Sequence, residues 1–298
     1  MSKKIITISW LVCQAFTMIF FLGNFNYVHA HYLETYLIDF DISMSSKGPR
    51  CYKKYYQGYN KEAYQKLKKL YEQNHFSKLH RSHDVKIPKI IHQIWFGSKP
   101  FPDNLKQLAE TWKKFHPDWT YNLWTNDAVE KLLPQFLPEH QELYCKLVDP
   151  RSKADLLRYY LLYWYGGLYV DTDFECLTSF EELHCYYDFY TGISSHTTKE
   201  VINNALIGSK AGHQILKYII ENIQNLSLDN WMSALGVFYF SKKVIEVIDI
   251  VDGVNIVLPT NVLYCLPYKH DRSRLVSLYV TQESMAMHYW AEGGCSFC

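Results

Sequence analysis

The apolar positions of the chain follow two periods, and the switch between them marks the elements. From 152 to 165 the run SKADLLRYYLLYWY crowds apolar residues at helical spacing. Gly166 and Gly167 then turn the chain straight into the apolar strand LYV, which ends at Asp171 and Asp173. Upstream, IPKIIHQIWFG (Ile87 to Gly97) reads as a short strand closed by glycine. Leu105, Leu108, Ala109, Trp112 and Phe115 next trace one face of a helix, and WTYNLW (Trp119 to Trp124) reads as a second strand. DFYTGI near residue 190, a helix around Ile215 to Ile223 and NIVLP near residue 257 continue the pattern. Strands alternating with helices predict an α/β fold with a mainly parallel sheet flanked by helices. Ligands of such sheets bind beyond the carboxyl ends of the strands, which is where Asp171 and Asp173 fall.

The pattern before Ile87 differs. Lys3 and Lys4 precede an apolar stretch from Ile5 to Leu22, and Val28-His29-Ala30 places small residues as a signal peptidase requires. Residues 1–30 therefore read as a signal peptide or a signal anchor, since the stretch is also near the length that spans a bilayer. Both readings send the rest of the chain along the secretory route, secreted or membrane-anchored, with membrane association through this segment if it is retained. Residues 31–86 are polar and lysine-rich, with Tyr64, Leu67, Leu70 and Tyr71 at helical spacing, and read as a helical stem or appendage. His75, His80 and His83 within it read as solvated surface without a metal-ligand pattern. The catalytic domain is expected over 87–298.

Composition narrows the function. The chain of 298 residues is 48% hydrophobic, enough for one sizeable core. Lys plus Arg number 31 against 30 for Asp plus Glu, so the basic excess that neutralises nucleic-acid phosphates is missing and nucleic acid is not an expected partner. Beyond Cys13 stand Cys51, Cys145, Cys176, Cys185, Cys265, Cys295 and Cys298, an odd number that permits disulfides and leaves a thiol over. Asn225-Leu226-Ser227 is a glycan acceptor only in a host that glycosylates exported chains.

The chemistry centres on the two aspartates. Residues two apart in a strand share a face, so Asp171 and Asp173 at the strand's end offer two carboxylates side by side. Oxygen ligands of this kind suit manganese or magnesium, which keep positions open for substrate phosphates. In the preceding helix Asp155 and Arg158 are three apart and share a face. Taken alone, Asp155 fits an ion pair with Arg158 or a helix-start cap with Ser152. The double glycine can fold that face back beside the aspartates, where an arginine neutralises phosphate charge and a carboxylate accepts hydrogen bonds from sugar hydroxyls. Two other acidic-motif chemistries fit less well. An aspartate-nucleophile phosphatase needs Thr or Val where Glu175 stands, and a calcium loop needs its sharp-turn glycine where Cys176 stands.

IPKIIHQIWFG, DLLRYYLLYWYGGLYVDTD and MHYW together, over about residues 87 to 292, resemble glycosyltransferase family 32, whose members carry a DXD sugar-binding region. The family includes fungal Golgi mannosyltransferases and the mannosyl-inositol-phosphoceramide synthase subunits. The resemblance implies a GT-A type, Rossmann-like mixed sheet and a retaining transfer of a hexose, mannose first, from a nucleotide-sugar donor to a glycan, glycolipid or protein acceptor. It implies Asp171, Asp173 and Arg158 as catalytic residues, and Asp171, Asp173 and His288 as ligands of a divalent ion, Mn2+ or Mg2+. It implies Trp95, Asp155, Arg158, Tyr169 and Asp171 as donor contacts, with Trp95 stacking on the base. Two features depart from the family: Gly236 has no following proline, and no second tryptophan follows the His288 segment. The alternative from another class is an exported binding protein that kept the fold and lost turnover.

Overall fold

A computed structural model describes residues 39–44, 60–96, 99–131, 133–194, 200–223, 234–268 and 275–291. Residues 1–30, Cys13, Cys51, Asn225-Leu226-Ser227, Cys295 and Cys298 lie outside the described residues. The described residues fall in a unit spanning Ile38–Cys298. Among them no helix is long and apolar enough to cross a membrane.

Among the described residues six strands form the main sheet: β1 (Ile90–Ile94), β2 (Thr120–Trp124), β3 (Gly167–Val170), β5 (Phe189–Ile193), β6 (Ile202–Ser209) and β7 (Asn255–Leu258), in the order β2-β1-β3-β6-β5-β7. β1 runs parallel to β2 and β3, and β5 runs parallel to β7. β6 runs antiparallel to both its neighbours. The sheet is therefore mixed and mainly parallel, as the alternation predicted. Every residue of β3, β5, β6 and β7 is buried, which suits a sheet covered on both faces. β6 went unread in the sequence because its apolar run VINNALIG is broken by two asparagines. A second sheet, of β4 (Phe174–Cys176) with β8 (Ala286–His288), joins the C-terminal segment to the strand that follows the aspartates.

Helix α1 (Lys61–Asn74) buries Tyr64, Leu67, Leu70 and Tyr71, the periodic face read from the sequence, and packs against β7. The Asn74 side chain donates to the Asn255 carbonyl at 2.9 Å, fixing the helix end to the sheet. His75 is not solvated as expected: it is 1% exposed, with Nδ1 beside the Ser77 hydroxyl at 2.9 Å. Burial lowers its pKa to about 4, so the ring is neutral at physiological pH. His80 and His83 are exposed. Helix α2 (Asp103–Phe115) turns Leu105, Ala109 and Trp112 inward. The Trp112 indole donates to the Phe174 carbonyl at 3.0 Å, tying α2 to β4.

Helix α3 (Pro150–Tyr165) carries half of the candidate site. Asp149 caps it by accepting from the Arg151 N–H at 2.9 Å, and Pro150 sits in the first turn. The cap expected from Ser152 and Asp155 is therefore not used; both are buried inside the helix. The helix stops at Gly166 (φ 64), and Gly167 (φ 100) begins β3. A Cβ on Gly167 would lie 2.5 Å from the Ile90 carbonyl, so the conformation and the close approach both demand glycine. Helices α4 (Gln214–Glu221) and α5 (Val237–Val247) complete this side, α4 packing on α3 and α5 on β6. Among the described residues no disulfide forms; Cys176, Cys185 and Cys265 are buried thiols and Cys145 is an exposed one.

Candidate functional site: a buried charge relay leading to an acidic edge

β3 delivers the acidic edge, though not as the strand reading expected. The strand stops at Val170, and Thr172 and Asp173 lie in a turn closed by the Phe174 N–H to the Asp171 carbonyl at 3.3 Å. Asp171 and Asp173 therefore meet through that turn, not as alternate residues of one strand face. The Gln93 side chain of β1 donates to the Asp171 carbonyl at 3.2 Å, and Tyr121 of β2 donates to Gln93. The parallel neighbour β1 thus anchors the turn, with β2 bracing the anchoring side chain.

Asp173 is held from the C-terminal side. His288 Nε2 lies 3.1 Å from Asp173 Oδ1, the Ala291 N–H donates to Oδ2 at 2.7 Å, and the Tyr289 N–H donates to the Asp173 carbonyl at 3.0 Å. The His288 ring stacks on Phe174, centroids 4.3 Å apart and planes 7° apart, and lies 4.1 Å from Trp290. Trp290 adopts φ 58, an uncommon left-handed conformation for a bulky residue, pinned by its indole donating to the Leu266 carbonyl at 2.8 Å. Desolvation disfavours the Asp173 carboxylate, yet the His288 imidazole and the Ala291 N–H outweigh it and hold its pKa below the usual range. Asp171, desolvated and close to Asp173, is pushed up despite Arg158 and His288.

Arg158 joins α3 to this edge. Its Nη2 lies 2.9 Å from Asp155 Oδ1 and its Nη1 lies 3.2 Å from Asp171 Oδ1. Nη1 also donates to the Asn204 carbonyl at 2.9 Å, Nε donates to the Ala154 carbonyl at 3.2 Å, and the guanidinium sits 4.5 Å from the Tyr169 ring centroid. Tyr169 lies under the guanidinium and donates its hydroxyl to Asp171 Oδ1 at 2.6 Å. Arg158 and Asp155 are buried, whereas 30% of the Asp171 side chain is exposed. Desolvation raises the Asp155 pKa to about 7, with Asp171 adding to the rise and Arg158 opposing it. Asp155 Oδ2 is buried and has no protein partner. An acceptor of that kind is satisfied by a ligand hydroxyl or by water.

The structure thus brings six predicted residues into one chain of contacts, from Asp155 through Arg158, Tyr169 and Asp171 to Asp173 and His288. Trp95 stands apart from that chain. It follows β1, is half-buried, and has its indole N–H bound to the Lys99 carbonyl at 3.0 Å with Phe101 against it at 5.5 Å. Sequence reasoning missed Asn204 of β6, whose amide donates to Asp155 Oδ1 at 2.7 Å and to the Tyr159 hydroxyl at 3.1 Å. The available signal was the pair Asn203-Asn204 inside an otherwise apolar strand.

Asp171, Asp173 and His288 each offer one ligand atom, and these atoms lie within 4.8 Å of one another. Two carboxylates and an imidazole form a donor set that manganese accepts, and the buried His288 Nδ1 has no protein partner to compete for the ring. The residues fit a divalent ion.

Comparison with known proteins places this geometry. Residues 102–190 match the family described as a glycosyltransferase sugar-binding region containing DXD motif. That span holds Asp155, Arg158, Tyr169, Asp171 and Asp173, and leaves Trp95 and His288 outside it. A glycosyltransferase of Acanthamoeba polyphaga mimivirus is 30% identical over 164 residues, 54% of this chain and 65% of that protein. Inositol phosphoceramide mannosyltransferase 3 of Schizosaccharomyces pombe is 28% identical over 161 residues, 54% of this chain and 44% of that protein. The matches thus span less than two thirds of these relatives' own lengths. The solved structure of PaToxG glycosyltransferase aligns with a TM-score of 0.46 at 17% identity, covering 63% of this chain and 79% of that one. The mixed, mainly parallel sheet flanked by helices, with its acidic turn at the carboxyl end of β3, is the architecture expected from the sequence. Residues 102–190 are thus similar to a glycosyltransferase sugar-binding region containing DXD motif, and the mannosyltransferase relative agrees with the resemblance to glycosyltransferase family 32 read from the sequence.

Proposed function

We propose that the protein is a retaining hexosyltransferase that moves a sugar, mannose first, from a nucleotide-sugar donor to a glycan or glycolipid acceptor such as an inositol phosphoceramide. The observation that carries this reading is the buried relay in which Arg158 bridges Asp155 and Asp171 at 2.9 Å and 3.2 Å. A guanidinium already paired on both sides keeps its charge and orientation, so it is ready to meet the charge that grows on a departing diphosphate. Asp155, with one carboxylate oxygen fixed by Asn204 and the other without a protein partner, is set to accept a hydroxyl of the donor sugar. Tyr169 acts beneath the surface by holding Arg158 and Asp171. Asp171, Asp173 and His288 would hold the divalent ion, which when bound supplies Lewis-acid stabilisation of a nucleoside diphosphate leaving group. In the transfer the bond from the anomeric carbon to the diphosphate oxygen breaks, and one to the acceptor oxygen forms on the same face. The acceptor proton leaves with the nucleoside diphosphate. Mannose and the glycolipid acceptor follow the activity for which the fungal relative is named.

The full-length protein, supplied with manganese, an inositol phosphoceramide acceptor and GDP-mannose, UDP-glucose, UDP-galactose or UDP-N-acetylglucosamine in separate reactions, is assayed for nucleoside diphosphate release. GDP-mannose is the donor expected to turn over. Donor affinity without release from any of the four would overturn the reading and leave a binding protein of the same fold.

A further inference from the structure

β6 is regular along one edge and interrupted along the other. Against β3 the ladder is unbroken: Val170 pairs with Leu206, and the Asp171 N–H donates to the Ala205 carbonyl at 2.8 Å. Against β5, Thr191 pairs with Ile207 while the next residue, Gly192, pairs with Asn203. Residues 204–206 therefore have no β5 partner, and β6 bulges toward α3. Two side chains close the bulge. The buried Thr191 hydroxyl lies 3.0 Å from the Asn203 carbonyl and 2.9 Å from the Leu206 carbonyl, spanning its neck. Within the bulge the Asn203 side chain accepts from the Ala205 N–H at 2.9 Å, taking the place of the missing strand. Asn204 stands at the crest, where its amide reaches Asp155 at 2.7 Å and its carbonyl takes Arg158 at 2.9 Å.

We propose that Thr191 is a positioning residue for sugar transfer: its hydroxyl sets the β6 bulge that presses Asn204 against the Asp155–Arg158 pair. The proposal rests on the transferase reading above. Bulges re-aim side chains beside functional sites, and this one turns the side-chain amide and the backbone carbonyl of a single asparagine onto two buried charged residues of α3, Asp155 and Arg158. The Thr191 hydroxyl bonds the β6 backbone and not the side chains of Asp155 or Arg158. Without the hydroxyl, two buried carbonyls lose the donor they share, and the crest is free to relax away from α3.

Steady-state kinetics on the full-length protein test this. Thr191→Val removes the hydroxyl at nearly constant shape and is expected to raise the donor KM and lower kcat, with kcat/KM falling about tenfold to a hundredfold. The acceptor KM stays unchanged. A purely structural defect would shrink the active fraction and lower kcat with the donor KM untouched. Thr191→Ser keeps the hydroxyl and stays within about threefold of wild type. Should Thr191→Val not fold, Asn204→Ala takes its place with the same expected rise in donor KM. An unchanged donor KM in the folded variant, or a Thr191→Ser as impaired as Thr191→Val, overturns the proposal. If the wild type releases no nucleoside diphosphate, the transferase reading fails on its own. The bulge is then judged by donor affinity, and a Thr191→Val protein binding GDP-mannose as tightly as wild type overturns it.

Discussion

Replacing Asp155 by asparagine should stabilise the protein at neutral pH while abolishing transfer. Burial raises the Asp155 pKa to about 7, against about 3.9 for an unfolded aspartate. The folded protein therefore keeps a proton that the unfolded chain releases between about pH 4 and pH 7. In that window the unfolded state binds fewer protons, so stability falls as pH rises. About three units at 1.36 kcal/mol each give about 4 kcal/mol lost above pH 7, an upper value because Asp171 titrates beside it. Asparagine at 155 keeps an oxygen for the Arg158 and Asn204 contacts, which run to Oδ1, and has no proton to lose. The difference in melting temperature, Asp155→Asn minus wild type, should grow from about pH 4 to pH 7 and level off above it. At about 2–4 °C per kcal/mol for a chain of this size, the plateau lies several degrees above the acid value. Scanning calorimetry across that range in a chelator measures it, with nucleoside diphosphate release assayed in parallel. A difference that is flat with pH, or one that shrinks as pH rises, refutes the argument that this carboxylate is buried at a cost in stability.

Other consequences can be checked separately. His288→Ala removes the imidazole from the Asp171–Asp173–His288 cluster and should weaken manganese binding, measured by titration calorimetry, by at least the roughly tenfold that even an outer-shell partner contributes. Trp95→Ala should raise the donor KM through lost base stacking, about 1–3 kcal/mol by analogy with stacked bases, with little change in melting temperature because the side chain is only half-buried. Gly208→Ala should unfold at lower denaturant, since its Cβ would lie 2.1 Å from the Tyr190 ring; overpacking of this kind costs about 1–3 kcal/mol.

What the sequence disclosed depended on whether a feature was local. The helix, double glycine and strand from 150 to 170 were legible because an apolar run, a positive-φ stop and a β-rich run follow in order, and Asp155 and Arg158 meet because helical spacing brings them together at 2.9 Å. The contact from Arg158 to Asp171 was foreseeable from the same reversal. The closing of His288 on Asp173 was expected from the family resemblance alone, because it depends on β4 pairing with β8 across a separation of more than a hundred residues. His75 was misread because a histidine in a polar, lysine-rich segment reads as surface, whereas its ring packs against Tyr71 and Phe76, with centroids 5.2 Å and 4.2 Å away.

Asn204 shows most sharply why the rest stayed hidden. By period it belongs to an apolar strand, and two adjacent asparagines there look like a defect in the pattern. The strand tolerates them because it leaves β5 for three residues, the Asn203 side chain accepts from the Ala205 N–H at 2.9 Å, and Thr191 covers the carbonyls at the neck. The polar pair is thus compatible with burial only in the conformation that aims Asn204 at Asp155. A local conflict between side-chain type and strand period is resolved in three dimensions by a device that serves the site. An asparagine pair inside a buried strand is therefore a sequence signal for a functional bulge when a strand neighbour can offer a hydroxyl.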